Sequence, residues 1–286
     1  MRNSLYVLTK MQGGTERLAE ALQLRGFSVE MEDDCICLKN GTVRDREELK
    51  FFLDKLNIPV YWHREDSFQL LVNRFPIQMM KKIIQCDGRD YPFSVAGYQL
   101  RWRNFVTRRY GICTETLQLC PFTAVLLKAL NEVGIVTVAC CNGHKRHQPN
   151  FQFSGLFNGL WFKFVQAQYL NELILHYNWK VEFVYGNRST ALVAHKSASE
   201  NWNMMKVLAD CEQMAKTLRK SAKEIRYLKR ASFKRSMKET AEAFVDANDM
   251  KGLYDWMKQQ VEKRINEQSK ASGRHVLRRE DECANF

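Results

Sequence analysis

The densest group of chemically active side chains is the run Cys140-Cys141-Asn-Gly-His144-Lys-Arg-His147. Thiolates and imidazoles a few residues apart can bind one tetrahedral zinc ion, so Cys141 and His144 are candidate metal ligands. Cys113 and Cys120 could supply further thiolates. An imidazole can also lower the pKa of a neighbouring thiol, which would make Cys141 a nucleophile paired with His144. Because the paired CxxC motifs typical of zinc sites are absent, we expect no cofactor.

The same run also has the composition of an anion site. Four polar side chains follow a glycine turn, and backbone amides in such a turn can join cations around a phosphate or carboxylate. These candidates are His144, Lys145, Arg146 and His147. The simpler interpretation is that Cys140 lies in the core, Cys141 is a buried thiol and the rest is an exposed basic loop.

A second group of cations lies upstream and alternates with aromatic residues. Its candidate anion-binding residues are Arg101, Arg103, Arg108 and Arg109. Trp102 and Phe105 between them would suit base stacking beside phosphate contacts. The alternative, which we favour, is that these two aromatic residues are half-buried in a strand.

The strongest charge feature is the segment 216–238. It contains ten basic residues and one acid, Glu224, and therefore carries a net charge of +9. A solvated helix normally mixes both signs, so this one is expected to face an acidic surface. That surface can belong to a partner, or to the tail 239–286, which has eight basic and ten acidic residues. The candidate partner-binding residues here are Lys216, Arg219, Lys220, Lys223, Arg226 and Arg230.

Apolar residues at a spacing of four and three run along the same segment. The seam comprises Val207, Cys211, Met214, Leu218, Ile225 and Leu228, and Ser221 interrupts it. A narrow apolar seam of this kind packs against another helix. We expect it to mediate self-assembly or partner capture, which makes a homo-oligomer the predicted state.

Composition sets the broad class. The 286 residues carry a formal net charge of +12, which favours encounters with nucleic acid, anionic lipid or acidic protein surfaces. Nine cysteines and no signal-peptide pattern predict reduced thiols in a cytoplasm. No stretch reaches the roughly 18 apolar residues of a membrane span, so no membrane contact is expected. P-loop, GxGxxG, HExxH and GxSxG motifs are absent, so we expect binding rather than catalysis and assign no catalytic residue.

Apolar periodicity predicts an α+β protein with a mixed-sheet body and a C-terminal helical arm. We expect a small N-terminal α+β unit over 1–75, a central α+β domain with the Cys/His loop over 76–195, and a basic helical arm over 196–286.

Turn and capping signals predict individual elements. A helix should run from Thr15 to Gly26, and Asn142-Gly143 should join two strands. Apolar spacing over 170–177 predicts a further helix. In the arm, the second helix should end at Gly273.

Two resemblances arise from these residues. Gly134-Ile-Val-Thr-Val-Ala-Cys-Cys141-Asn-Gly-His144 is similar to the Thr-x-Ser-Cys-x-Gly strand and turn of wybutosine-type tRNA-modification proteins. It departs from that pattern in having Ala139-Cys140 where Ser is expected and His144 where Arg usually stands. This resemblance implies a nucleic-acid-binding or tRNA-modifying protein.

The whole chain, with its α+β body, Cys-Cys-x-Gly-His loop and helical tail, resembles the phage-encoded inhibitors of the Gabija bacterial defence system. That resemblance implies a non-enzymatic anti-defence protein in the cytoplasm of a bacterial host. Such a protein self-assembles and encloses the nuclease complex of the host defence machinery, so that the complex cannot engage DNA.

Overall fold

The computed structural model describes residues 13–39, 43–85, 101–107, 116–184 and 189–283. Arg108, Arg109 and Cys113 lie outside the described residues. The α-helices are α1 (Gly14–Arg25), α2 (Val43–Lys55), α3 (Ile77–Gln85), α4 (Trp102–Thr107), α5 (Ala124–Glu132), α6 (Gly155–Val165), α7 (Met204–Lys220), α8 (Ala222–Ser232), α9 (Lys238–Asp246) and α10 (Met250–Cys283). The strands are β1 (Val29–Glu32), β2 (Cys35–Leu38), β3 (Val60–Arg64), β4 (Ser67–Leu70), β5 (Thr137–Cys141), β6 (Asn150–Phe153), β7 (Asn178–Val184) and β8 (Ser189–His195).

The strands form two four-stranded sheets, in the orders β1-β2-β4-β3 and β5-β6-β8-β7. Together with the helices they confirm the predicted α+β class. The prediction of a mixed sheet is wrong for the described strands, because every pairing between them is antiparallel. Short connections explain the pairs β1-β2, β3-β4, β5-β6 and β7-β8, since a parallel pair would need a long crossover.

Helix α1 ends where the sequence predicts. Gly26 has φ 105°, and its N–H donates to the carbonyls of Leu22 and Gln23. A Cβ at this glycine would lie 2.4 Å from the Cβ of Ala124, the first residue of α5. Glycine is therefore required twice at this position, for the left-handed backbone and for the close approach of the two helices.

The helix predicted over 170–177 is wrong. Helix α6 ends through a π-helical turn at Gln166–Leu170, and Ile174 is 91% exposed. The buried carboxylate of Asp210, on α7, accepts the backbone N–H groups of His176 and Tyr177 at 2.7 and 3.0 Å. These hydrogen bonds hold the chain in an extended path that leads into β7. In the predicted helix, the same amides would have donated to carbonyls of the helix itself.

The C-terminal helices α7 to α10 follow β8 without another strand among the described residues. Helix α10 continues past Gly273 to Cys283, so the predicted end at Gly273 is wrong. A glycine inside a helix costs only about 1 kcal/mol and does not by itself end the helix. The predicted single seam helix is also divided, because α7 ends at Lys220 and α8 begins at Ala222.

The seam residues lie in the interior of this chain. All six, Val207, Cys211, Met214, Leu218, Ile225 and Leu228, are at most 3% exposed. Helix α7 packs along α5 and contributes to one apolar core that also includes both sheets. The expectation that the seam offers free surface for assembly is therefore corrected: its α7 residues are buried in a helix that packs along α5, its α8 residues in one that packs against α10, and an aspartate at Leu218 would disrupt the core.

An aromatic cluster joins the C-terminal helices to the body. Trp102 is fully buried, packs against Phe105, Phe157, Phe233 and Trp256, and donates its indole N–H to the Lys234 carbonyl at 2.9 Å. Helix α4, rather than a half-buried strand, carries Trp102 and Phe105, and both are 0% exposed. They are core residues, so neither provides a stacking surface for bases.

The buried Asp210 should be a strong determinant of stability. It accepts three N–H groups, the third being the Trp179 indole at 2.9 Å. Asp210→Asn places an amide NH2 against an N–H donor, so we expect a loss of about 3 kcal/mol in the free energy of unfolding by urea titration. The exposed Asp246 is the matched control, and Asp246→Asn should change the same quantity by less than about 0.5 kcal/mol. Equal effects of the two substitutions would contradict this role.

Candidate functional site

A tight turn after β5 brings together the thiols and imidazoles that the sequence singled out. The side chain of Asn142 accepts the His144 N–H at 2.9 Å and donates to the Pro121 carbonyl at 3.0 Å. Gly143, His144 and Lys145 have φ values of 74°, 48° and 64°. At Gly143 a Cβ would lie 3.1 Å from the Pro149 nitrogen, so this left-handed position favours glycine.

The turn directs the side chains of residues 144–147 into solvent. All four are exposed, whereas Asn142 and Gly143 beneath them are buried. The N–H groups of Arg146 and His147 both donate to the Gly143 carbonyl at 2.8 Å, which closes the turn on itself. The expected basic loop is therefore present, and the imidazole of His144 lies near the Cys141 thiol.

Cys141 is set apart from the other described cysteines by its hydrogen-bond donors. Its pKa is lowered to about 5, first by a hydrogen bond from the Cys120 thiol, then by the Gly143 N–H, 3.3 Å from its sulfur, and by His144. Burial acts in the opposite direction and is outweighed. Burial raises the pKa of Cys140 to about 11, and the contact with Cys141 together with burial raises that of Cys120. At neutral pH Cys141 is therefore a half-exposed thiolate, and Cys120 and Cys140 are thiols.

The contact between Cys141 and Cys120 was missed at the level of sequence. The sequence pattern suggests Cys120 only as an additional zinc ligand, because helix α5 and most of strand β5 lie between the two residues along the chain. Among the described residues, no group of three or more His, Cys, Asp and Glu side chains is arranged to hold a metal ion. Whether Cys141 and His144 bind zinc stays a prediction.

Three basic side chains of the segment 216–238 point into the protein and bind at the carboxyl end of α5. Arg219 forms an ion pair with Glu132, with its Nε 2.9 Å from a carboxylate oxygen. Arg226 donates to the Glu132 carbonyl at 3.1 Å, and Lys229 donates to the Gly134 carbonyl at 2.7 Å. The last carbonyls of a helix lack partners within it and carry partial negative charge, so cations stabilise this end.

Lys229 is buried and lies 4.3 Å from the centre of the Phe105 ring. Burial lowers the pKa of its amine to about 7. Of the candidate partner-binding residues, Arg219 and Arg226 are thus used inside the chain. Sequence patterns cannot reveal this role, because the partner of both residues, Glu132, lies in a distant segment.

Six other cations of the same segment face outward. None of them forms an ion pair with any residue that the structure describes: Lys216, Lys220, Lys223, Arg230, Lys234 and Arg235. We call these six the basic surface. Lys238 pairs with Glu242 at 3.4 Å, and Arg264 of α10 donates to the Tyr227 hydroxyl. Within the described residues, the tail therefore compensates little of the charge of this segment.

A groove of about 530 Å³ lies between α7 and the end of α1. Three cations, Lys216, Arg219 and Lys220, line it together with two acids, Glu30 and Glu212. Elsewhere, Arg101 and Arg103 are exposed at α4, next to the buried Trp102 and Phe105. Lys216 and Lys220 at the groove, and Arg101 and Arg103 at α4, are thus accessible. The aromatic residues predicted to alternate with the α4 cations are not.

Comparison with known proteins adds no relative. No protein-family profile matches the sequence, and no curated protein and no solved structure is similar to it. In the part of the chain that the structure describes, no helix combines the length and apolar character needed to cross a membrane.

Alkylation should report the thiolate of Cys141. The rate of iodoacetamide reaction at Cys141, followed by peptide mass spectrometry, should be half-maximal near pH 5, where the thiolate forms. Because the Cys120 hydrogen bond is the largest cause, Cys120→Ala should move this midpoint upward toward the ordinary value of about 8.5. Cys120→Ser keeps a donor and serves as the matched control. A midpoint near 8.5 in the unmodified protein would refute the assignment.

Lys229 should make stability rise with pH. Its pKa is about 7 in the folded protein against an ordinary value of 10.5, so between these values unfolding takes up a proton. The free energy of unfolding of the wild type relative to Lys229→Met should therefore increase from pH 7 to pH 9, by at most about 1.4 kcal/mol per pH unit. Urea titrations at several pH values measure it. For the exposed control Lys220→Met, the difference in free energy of unfolding from the wild type should not change with pH. A pH-independent difference for Lys229→Met would show that this amine does not titrate between pH 7 and pH 9.

Proposed function

We propose that the protein acts by binding, and that its basic surface holds a negatively charged macromolecular partner. The observation that supports this is the set of six outward-facing cations without ion pairs among the described residues. Like charges along one helical segment repel one another, and an acidic counter-surface would relieve that repulsion. Complementary charge of this kind mainly sets the choice of partner and the rate of encounter.

The partner that we favour is an acidic protein surface. Single-stranded nucleic acid is usually held by cations together with exposed aromatic side chains on which bases stack. Trp102 and Phe105, the aromatic residues that could have served beside Arg101 and Arg103, are fully buried. Lys216 and Lys220 at the rim of the groove, which form no ion pair with the described residues, can pair with carboxylate side chains of a protein partner.

The specific form of the proposal follows the resemblance to phage-encoded inhibitors of the Gabija system. The protein would bind the defence nuclease complex, enclose it and prevent it from engaging DNA. Self-assembly remains part of this hypothesis. It would use a surface other than the seam, because all six seam residues are buried within the chain.

Nucleic acid is the second candidate partner. It is favoured by the exposed His144, Lys145, Arg146 and His147, which follow a glycine turn, and by the resemblance of that turn to tRNA-modification proteins. Phosphate binding through this loop would depend strongly on salt.

A charge-matched pair of variants tests the basic surface. Lys216→Gln/Lys220→Gln/Lys223→Gln removes three of its cations but leaves the structural Arg219 in place. Lys81→Gln/Lys82→Gln/Lys180→Gln removes three exposed lysines elsewhere and is the control. We expect the first variant to bind a purified Gabija-type complex about tenfold more weakly, since each exposed ion pair contributes about 0–1 kcal/mol. The control should bind as the wild type does.

The measurement is co-elution with the complex and fluorescence anisotropy with a 30-base-pair DNA and a single-stranded RNA, at two salt concentrations. The proposal is supported if the first variant binds the complex more weakly than the wild type does and the control variant does not. Salt-sensitive binding of RNA or DNA without binding to the complex would favour the second candidate. Equal losses in both variants would exclude the basic surface as the specific site.

A further inference from the structure

We infer that Cys141 and Cys120 form a redox-active dithiol pair, in which Cys141 reacts with a hydroperoxide and Cys120 resolves the product as an intramolecular disulfide. The inference does not depend on the proposed binding function. It concerns the two sulfur atoms beneath the turn, which that function does not use.

The backbone around both residues keeps the two sulfurs together. The Asn142 side chain ties the end of β5 to the Pro121 carbonyl at 3.0 Å, so the residues that follow Cys141 and Cys120 are joined directly. The Thr123 hydroxyl donates to the Cys120 carbonyl at 3.2 Å and fixes the segment that leads into α5. The two thiols lie within hydrogen-bonding reach of each other as a result.

Access separates this pair from the other buried thiols. Cys120 and Cys141 are both half-buried, whereas Cys37, Cys140 and Cys211 are buried. Cys140 adjoins Cys141 in sequence, but successive side chains of a strand point to opposite faces, and its side chain lies in the core. A small oxidant can therefore reach Cys141. Of the two cysteines beside it, Cys120 and Cys140, Cys120 is the one placed to react next.

The donors around Cys141 suit the first step. The Gly143 N–H and the His144 imidazole stabilise the anionic sulfur, which is the nucleophilic form. The thiolate attacks one oxygen of the hydroperoxide, the O–O bond breaks, and the leaving alkoxide takes a proton to become an alcohol. Cys141 then carries a sulfenic acid.

The second step consumes that sulfenic acid. The Cys120 sulfur attacks the Cys141 sulfur, an S–S bond forms and the S–O bond breaks. The departing hydroxide takes up the proton of the Cys120 thiol and leaves as water. In sum, two thiols are oxidised to one disulfide, and one hydroperoxide is reduced to an alcohol and water. Two external thiol groups can reduce the disulfide back to two thiols by exchange and are themselves oxidised to a disulfide.

Oxidation also changes the charge under the loop. The thiolate of Cys141 is a negative charge directly beneath the turn that carries residues 144–147, and a disulfide is neutral. The oxidised turn therefore presents the loop cations without that counter-charge.

The test uses the full chain under native conditions with hydrogen peroxide as the oxidant. Remaining thiols are blocked with N-ethylmaleimide and the protein is digested with trypsin. Mass spectrometry should find the peptide containing Cys120 linked to the peptide containing Cys141, and dithiothreitol should separate them. These tryptic peptides also contain Cys113 and Cys140, so substitutions must assign the linkage.

The linkage should persist in Cys113→Ser and Cys140→Ala, and should be lost in Cys120→Ser and Cys141→Ser. In Cys120→Ser the first step still occurs, so Cys141 should accumulate a sulfenic acid that dimedone traps, and Cys141→Ser should lack it. Circular dichroism confirms that each variant is folded.

Three outcomes would overturn the inference, the first seen by comparing the variants and the other two in the wild type. The first is a linkage that requires Cys113 or Cys140. The second is oxidation of Cys141 to sulfinic acid without any linkage to Cys120. The third is stoichiometric zinc that keeps Cys141 unreactive until a chelator is added.

Discussion

The carboxyl end of helix α5 determines how the C-terminal half of the chain is arranged. The carboxylate and carbonyl of Glu132, and the carbonyl of Gly134 just beyond the helix, accept hydrogen bonds from Arg219, Arg226 and Lys229 of α7 and α8. Because these three donors come from two helices, the contact fixes both the position of α7 along α5 and the direction in which α8 continues. The apolar seam on α7 then fills the space between these polar contacts.

This arrangement divides one charged segment into two functions. The basic side chains at 219, 226 and 229 are part of the structure, whereas those at 216, 220, 223 and 230 remain in solvent. The contacts with α5 explain the division, because Arg219 and Arg226, seven residues apart, both reach Glu132. A count of charges along the sequence cannot separate the two sets, because the sequence does not show which face of each helix is covered.

Local signals in the sequence predicted much of the fold, and long-range contacts accounted for the failures. The end of α1 at Gly26 and the turn at Asn142-Gly143 were predictable because backbone geometry at those positions depends on the residue itself. The false helix over 170–177 arose because its apolar spacing is real, but Asp210 takes the amides that a helix would need. Likewise, Cys141 was identified as a candidate, whereas its contact with Cys120 depends on how α5 and β5 meet.

The turn after β5 has a consequence for the entropy of any binding event that involves its loop. Two non-glycine residues in succession, His144 and Lys145, occupy the left-handed region, which costs each of them about 1 kcal/mol or more. The hydrogen bonds of Asn142 and Gly143 offset that cost before any ligand arrives. A ligand that meets this loop therefore finds its backbone already ordered, and less of the binding free energy is lost in restricting the loop's motion.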